Sequence, residues 1–193
     1  MEFFVTHKSI FVVLHAIAAA VGLGSVIVTD TLFFKFLKDF KISKSEDSTL
    51  RAISGVVWVV IALLFVTGLC LFLSGPMDYL AKSKFIAKLV IFCIIVANGF
   101  VLNWIITPHL RKIAFGPIIV EMPYRLRLVR RIAFASGAVS IISWFSVFIL
   151  GSIRSIPVTT WEALLIYILL CAIGIGGSQL YATWIKHGPF WKH

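Results

Sequence analysis

The chain has 193 residues, of which 60% are hydrophobic and 13% charged, with a mean hydropathy of +1.02 and a formal net charge of +10. A water-soluble domain of this size cannot hide that much apolar surface in one core, so lipid must serve as its solvent. The basic excess does not point to nucleic acid, because its charges flank apolar runs, where topology and anionic headgroups account for them.

Five runs are long enough to cross a hydrocarbon layer as helices, at about 9–34, 52–74, 85–107, 132–153 and 162–185. Ala16-Ile17-Ala18 superficially fits a signal cleavage site, but the first run continues well past it and reads as a retained helix. Gly75-Pro76 closes the second run, Pro108 the third and Gly188-Pro189 the fifth, while Pro157 separates the fourth from the fifth. Strands with open edges cannot stand unpaired in lipid, so the expected fold is an all-α integral membrane bundle of five transmembrane helices in a single domain.

Charge sets the expected orientation. The first linker carries Lys35, Lys38, Lys41, Lys44 and Arg51, and the third carries Arg111, Lys112, Arg125, Arg127, Arg130 and Arg131. Lys186 and Lys192 add to the C-terminal tail, whereas the other side has only Lys8, Lys82, Lys84 and Arg154. The positive-inside rule then places the N-terminus outside and the C-terminus in the cytoplasm, in a cell inner membrane. The middle of the third linker, G-P-I-I-V-E-M-P-Y, reads either as an interfacial segment or as a plain ordered loop. Trp104, Trp161, Trp184 and Trp191 fall near helix ends as interfacial anchors do, while Trp58 and Trp144 lie deeper and should pack.

The first helix is apolar yet carries His15 and ends on Asp30. At helical spacing His15, Ala18, Ala19, Gly22, Val26, Thr29 and Asp30 share one small, polar face, which should point into the bundle. The two ionisable groups differ in depth by roughly 22 Å, from the 1.5 Å rise per residue. The fourth helix repeats Ser136, Ser140 and Ser143, and the fifth Tyr167, Cys171, Gly174 and Ser178. These stripes fit close packing with hydroxyls bonded to the preceding turn, or a polar cavity between helices to which Asn98 would also belong. Asn98 near the midplane must bond to a neighbouring helix, and Lys88 either snorkels to the headgroups or turns inward at the depth of His15.

His15 fits an interhelical hydrogen bond, ligation of haem iron or copper, or a proton relay. A haem ligand needs a partner at its depth, for which Lys88 and, from the outer loop, Met77 are the candidates. Towards the cytoplasm His109, His187 and Asp30 could form a small metal-binding cluster, or the two histidines could be solvated helix ends. Cys70, Cys93 and Cys171 show no ligand spacing and read as small buried hydrophobes. The sequence contains no phosphate-cradling glycine loop, no H-E-x-x-H and no nucleophile elbow, so it does not read as an enzyme.

The stretch from Arg51 to Leu110 resembles the membrane domain of the copper-resistance protein D family, which belongs with the four-helix b-type cytochromes in a wider grouping. The matching residues are Arg51, Ser54, Thr67-Gly68, Lys84-Phe85, Lys88, Asn98 and Pro108-His109-Leu110. His15 followed by Gly22-Leu23-Gly24 is similar to that family's histidine-bearing helices. The resemblance implies a periplasm-facing protein that handles copper, or a bundle holding b-type haem for electron transfer. The chain departs from it in having five spans, no methionine-rich or histidine-rich outer loop, and no two histidine pairs, which leaves room for one haem b or one copper. The alternatives are a small transporter with a polar cavity, or a cofactor-free accessory or scaffold subunit in a homo-oligomer or larger membrane complex.

Overall fold

The computed structural model describes residues 2–39, 43–80, 82–109, 124–153 and 158–187. Among them every regular element is helical: α1 (Glu2–Thr6), α2 (Lys8–Asp39), α3 (Lys44–Leu73), α4 (Pro76–Leu80), α5 (Ser83–Phe100), α6 (Tyr124–Ser152) and α7 (Thr160–His187). A wider, π-type stretch, Val101–Ile106, continues α5 towards His109. Five helices, namely α2, α3, α5 with its continuation, α6 and α7, are long and apolar enough to cross a membrane. The G-P-I-I-V-E-M-P-Y stretch lies outside the described residues except for its final Tyr124, and the tail with Trp191 lies wholly outside them.

Helix α3 begins at Lys44, well before the apolar run that predicts it. The reason is a capping box. The Ser43 hydroxyl accepts from the Glu46 N–H at 3.1 Å, and the Glu46 carboxylate accepts from the Ser43 N–H at 2.9 Å. Glu46 also pairs with Lys35 across the turn from α2 at 2.9 Å. Before α7, Thr159 and Glu162 form a second such box, the carboxylate accepting from the Thr159 N–H at 2.7 Å. Polar residues thus start helices that the apolar pattern alone would start later.

Helix α6 is the centre of the bundle and packs against α2, α5 and α7, while α3 joins mainly through α2. The small-residue face of α2 is the buried one: Ala18, Gly22, Val26 and Asp30 are all enclosed. The opposite face exposes Val13, Ile17, Val21 and Val28, and α7 exposes Leu165, Leu169 and Ile173. Water penalises a continuous apolar exterior of that kind and hydrocarbon does not. Cys93 is exposed rather than buried, and Cys70 and Cys171 are half-buried.

Two helices close on a third at Gly22. A β-carbon there would meet the Trp144 ring at 2.5 Å and Val60 at 2.7 Å, so α3 and α6 both close on α2 at the point where it lacks a side chain. Trp144, Val60, Ile61, Leu64 and Ile95 fill the surrounding core. Gly22→Leu should therefore lower the thermal unfolding midpoint in detergent, at a cost of about 1–3 kcal/mol for overpacking. Gly24→Leu, where a β-carbon meets nothing within 4 Å, should leave the midpoint unchanged. Equal effects at the two positions would contradict this crossing.

Candidate functional site

At the His15 end, the imidazole Nδ1 lies 2.8 Å from the Thr67 hydroxyl of α3. That hydroxyl has one hydrogen and donates it to the Leu63 carbonyl at 2.6 Å, so Nδ1–H must be the donor to Thr67. Gly68 packs beside the ring, where a β-carbon would stand in ordinary contact at 3.6 Å. Lys88 of α5 is half-buried. Met77, by contrast, is 79% exposed.

The serines of α6 divide by what they touch. Ser143 donates to the Val139 carbonyl at 2.6 Å and accepts from the Tyr167 hydroxyl of α7 at 2.8 Å. Asn98 of α5 donates to the backbone carbonyl of Ser136 at 3.0 Å, tying two helices together through a main-chain acceptor. Ser178 bonds back to Ile175 at 2.7 Å. Ser140 faces elsewhere and is the hydrogen-bonding neighbour of Asp30.

Asp30 is 4% exposed, and its Oδ2 has no hydrogen-bond partner among the described residues. It lies on the wall of a cavity of about 450 Å³. Helices α2 and α6 supply one side of that cavity, with Val26, Thr29, Asp30, Phe33, Ser140 and Trp144. Helix α3 supplies Asp47, Arg51, Ser54, Gly55 and Trp58, and α5 with its continuation supplies Asn98, Gly99, Asn103, Trp104 and Thr107. The buried Asp47 carboxylate pairs with the exposed Arg51 one turn later, at 3.1 Å. Asp30 and Asp47 are the two carboxyls among the lining residues, and Arg51, paired with Asp47, is the guanidinium.

The π-type stretch shapes the α5 wall. Both the N–H and the hydroxyl of Thr107 bond the Leu102 carbonyl, five residues back, the hydroxyl at 2.7 Å. A turn wider than an α-turn shifts the phase of every later residue on the helix, and Asn98, Asn103 and Thr107 all line the cavity. Such irregular turns recur at functional sites.

Of the expected cavity residues, Asn98 and Ser140 line this space, whereas Ser136, Ser143 and Ser178 serve contacts between or within helices. Of the expected grouping of Asp30 with His109 and His187, the described residues place Asp30 inside the bundle and His109 on its surface. His109 is exposed and donates from Nδ1 to its own helix at Ile105, 2.6 Å away. The side chain of His187 lies outside the described ones. Among the described residues no three His, Cys, Asp or Glu side chains are grouped to hold a metal ion. Sequence reading missed the roles of Thr67, Asp47 and Trp58. The i, i+4 spacing of Asp47 and Arg51 was the available signal for one of them.

Comparisons with known protein families, with characterised proteins and with solved structures find no match for this chain. The site is therefore read from its own chemistry. For the His15–Thr67 bond, Thr67→Val should cost about 1 kcal/mol of stability in detergent, while Thr67→Ser should retain most of it. Thermal midpoints of the two variants check this, and indifference to Thr67→Val would remove the bond from the account.

Proposed function

We propose that the chain is an inner-membrane carrier that takes a small cationic solute into an intramembrane cavity near its cytoplasmic side. One observation carries this reading: the enclosed Asp30 carboxyl, with an oxygen that has no partner among the described residues, lines about 450 Å³ of space. A buried carboxylate without a counter-charge is costly, and a cation bound beside it supplies that charge. Trp58, Trp104 and Trp144 line the same space, and indole faces attract ammonium groups. A carboxyl that shares its cavity with three indoles suits an amine or quaternary ammonium better than a hard metal ion, which would seek several oxygen ligands.

The sidedness belongs to this proposal. With the basic linkers in the cytoplasm, the cavity end of the bundle faces the cytoplasm and His15 the outside. The His15 Nδ1–H bond to Thr67 then ties α2 to α3 at the outer end.

Purified protein reconstituted in phosphatidylglycerol liposomes should take up tetramethylammonium faster than protein-free liposomes do. Asp30→Asn keeps the shape and removes the charge, and it should reduce protein-dependent uptake by about tenfold or more, the scale of losing one partner of a buried charge pair. Uptake by Asp30→Asn equal to that of the unaltered protein would defeat this reading.

A further inference from the structure

The cavity has an uneven enclosure, and that unevenness bears on what enters it. Helices α2 and α3, α2 and α6, and α5 and α6 pack along their lengths, so three sides are closed by helix contact. Between α3 and α5 the closure is made by side chains. Trp58 of α3 lies 4.9 Å from the Phe100 ring and 5.1 Å from the Trp104 ring, centroid to centroid. Phe100 and Trp104 stack at 4.5 Å and are about half exposed on the outer surface. Gly55 lines the cavity and is itself exposed, and a β-carbon there would meet nothing within 4 Å.

Trp104 and Gly55 are thus at once cavity wall and outer surface, and both lie within helices apolar enough to span a membrane. An opening at that position, one turn from the exposed Arg51 and beside the end residue Trp104, faces the boundary where headgroups meet acyl chains. A wholly hydrophilic solute gains nothing from such a mouth. A molecule with a polar head and a hydrocarbon chain gains twice, because its head reaches Asp30 while its chain never leaves the lipid.

We infer that the ligand is a single-chain amphiphile with a cationic amine or quaternary ammonium head, admitted sideways from the membrane between α3 and α5 past Gly55 and Trp58. This rests on the cation-binding reading of the cavity above. The head would sit between the unpartnered oxygen of Asp30 and the indoles of Trp58 and Trp104, and its chain would leave across the Gly55 gap. Glycine at that position keeps the gap open, and Gly99 on the facing helix seats the Trp58 ring, whose nearest atom would be 3.5 Å from an added β-carbon.

The test compares tetramethylammonium with dodecyltrimethylammonium, two permanent cations that share a head and differ in having a chain. Binding is followed by tryptophan fluorescence of the full chain in neutral maltoside micelles, which contain no competing cationic head. The unaltered protein should bind the long cation about tenfold or more tightly than the short one, with Asp30→Asn losing saturable binding of both. Gly55→Trp fills open space and should fold, as its thermal midpoint would verify. It should bring the long cation down to the affinity of the short one, and Gly55→Leu should do so in part. Val56→Trp, on the adjacent outward face, should leave both affinities unchanged.

Equal affinities for the two cations, lost together in Asp30→Asn and indifferent to Gly55→Trp, would overturn the sideways amphiphile and leave the cation cavity standing. A chain-length preference that survives in Asp30→Asn would mark partition into the micelle and also overturn it. Saturable binding of neither cation would bring down the cavity reading and this inference together.

Discussion

Helices apolar enough to cross a membrane leave their polar side chains no water to turn to in hydrocarbon, and the hydrogen bonding of this bundle answers that constraint. Thr67 gives its hydrogen to Leu63 and takes one from His15, Ser143 gives to Val139 and takes one from Tyr167, and Asn98 gives to the Ser136 carbonyl. Each bond either joins two helices or returns a hydroxyl to its own turn. Against this thrift the Asp30 carboxyl stands apart, enclosed and only partly satisfied, with room beside it. Stability alone offers no reason to keep a carboxyl in that state, and a binding role does.

The same packing decides where the room is. Gly22 draws Val60 and Trp144 against α2, so α2, α3 and α6 form one tight corner. Helix α5 leans on α6 and α7 instead, and the space between α3 and α5 is left to side chains. Trp58, Phe100 and Trp104 fill its outer part, and polar residues line the inside.

Much of this was legible in the amino-acid order, and the limits are physical. The apolar runs locate the five helices because length and composition alone determine what can span hydrocarbon. The inward face of α2 followed from its run of small residues at helical spacing. Helix order around the bundle was not legible, since periodicity says which face is buried and not against what. For that reason the serines of α6 looked alike in sequence, although Ser140 meets a carboxyl and Ser143 a tyrosine. Trp104 read as an interfacial anchor because its position along the helix is that of an end residue, and its place on the cavity wall depends on the direction α5 faces. Likewise Asp47 sits beyond the apolar run, where charge normally means solvent, yet its side chain is buried.

The widened turn at Val101–Ile106 has a consequence for how this wall is encoded. A turn closed by bonds to the fifth residue back takes up about one residue more than the 3.6 of an α-turn, so removing one residue from that stretch would let it close as ordinary α-helix and take away the widened wall between Asn98 and Thr107. No exchange of one side chain for another has an equivalent effect. The alignment of the two asparagines with the threonine is thus held by residue count, a property that insertions and deletions test and point substitutions leave untouched.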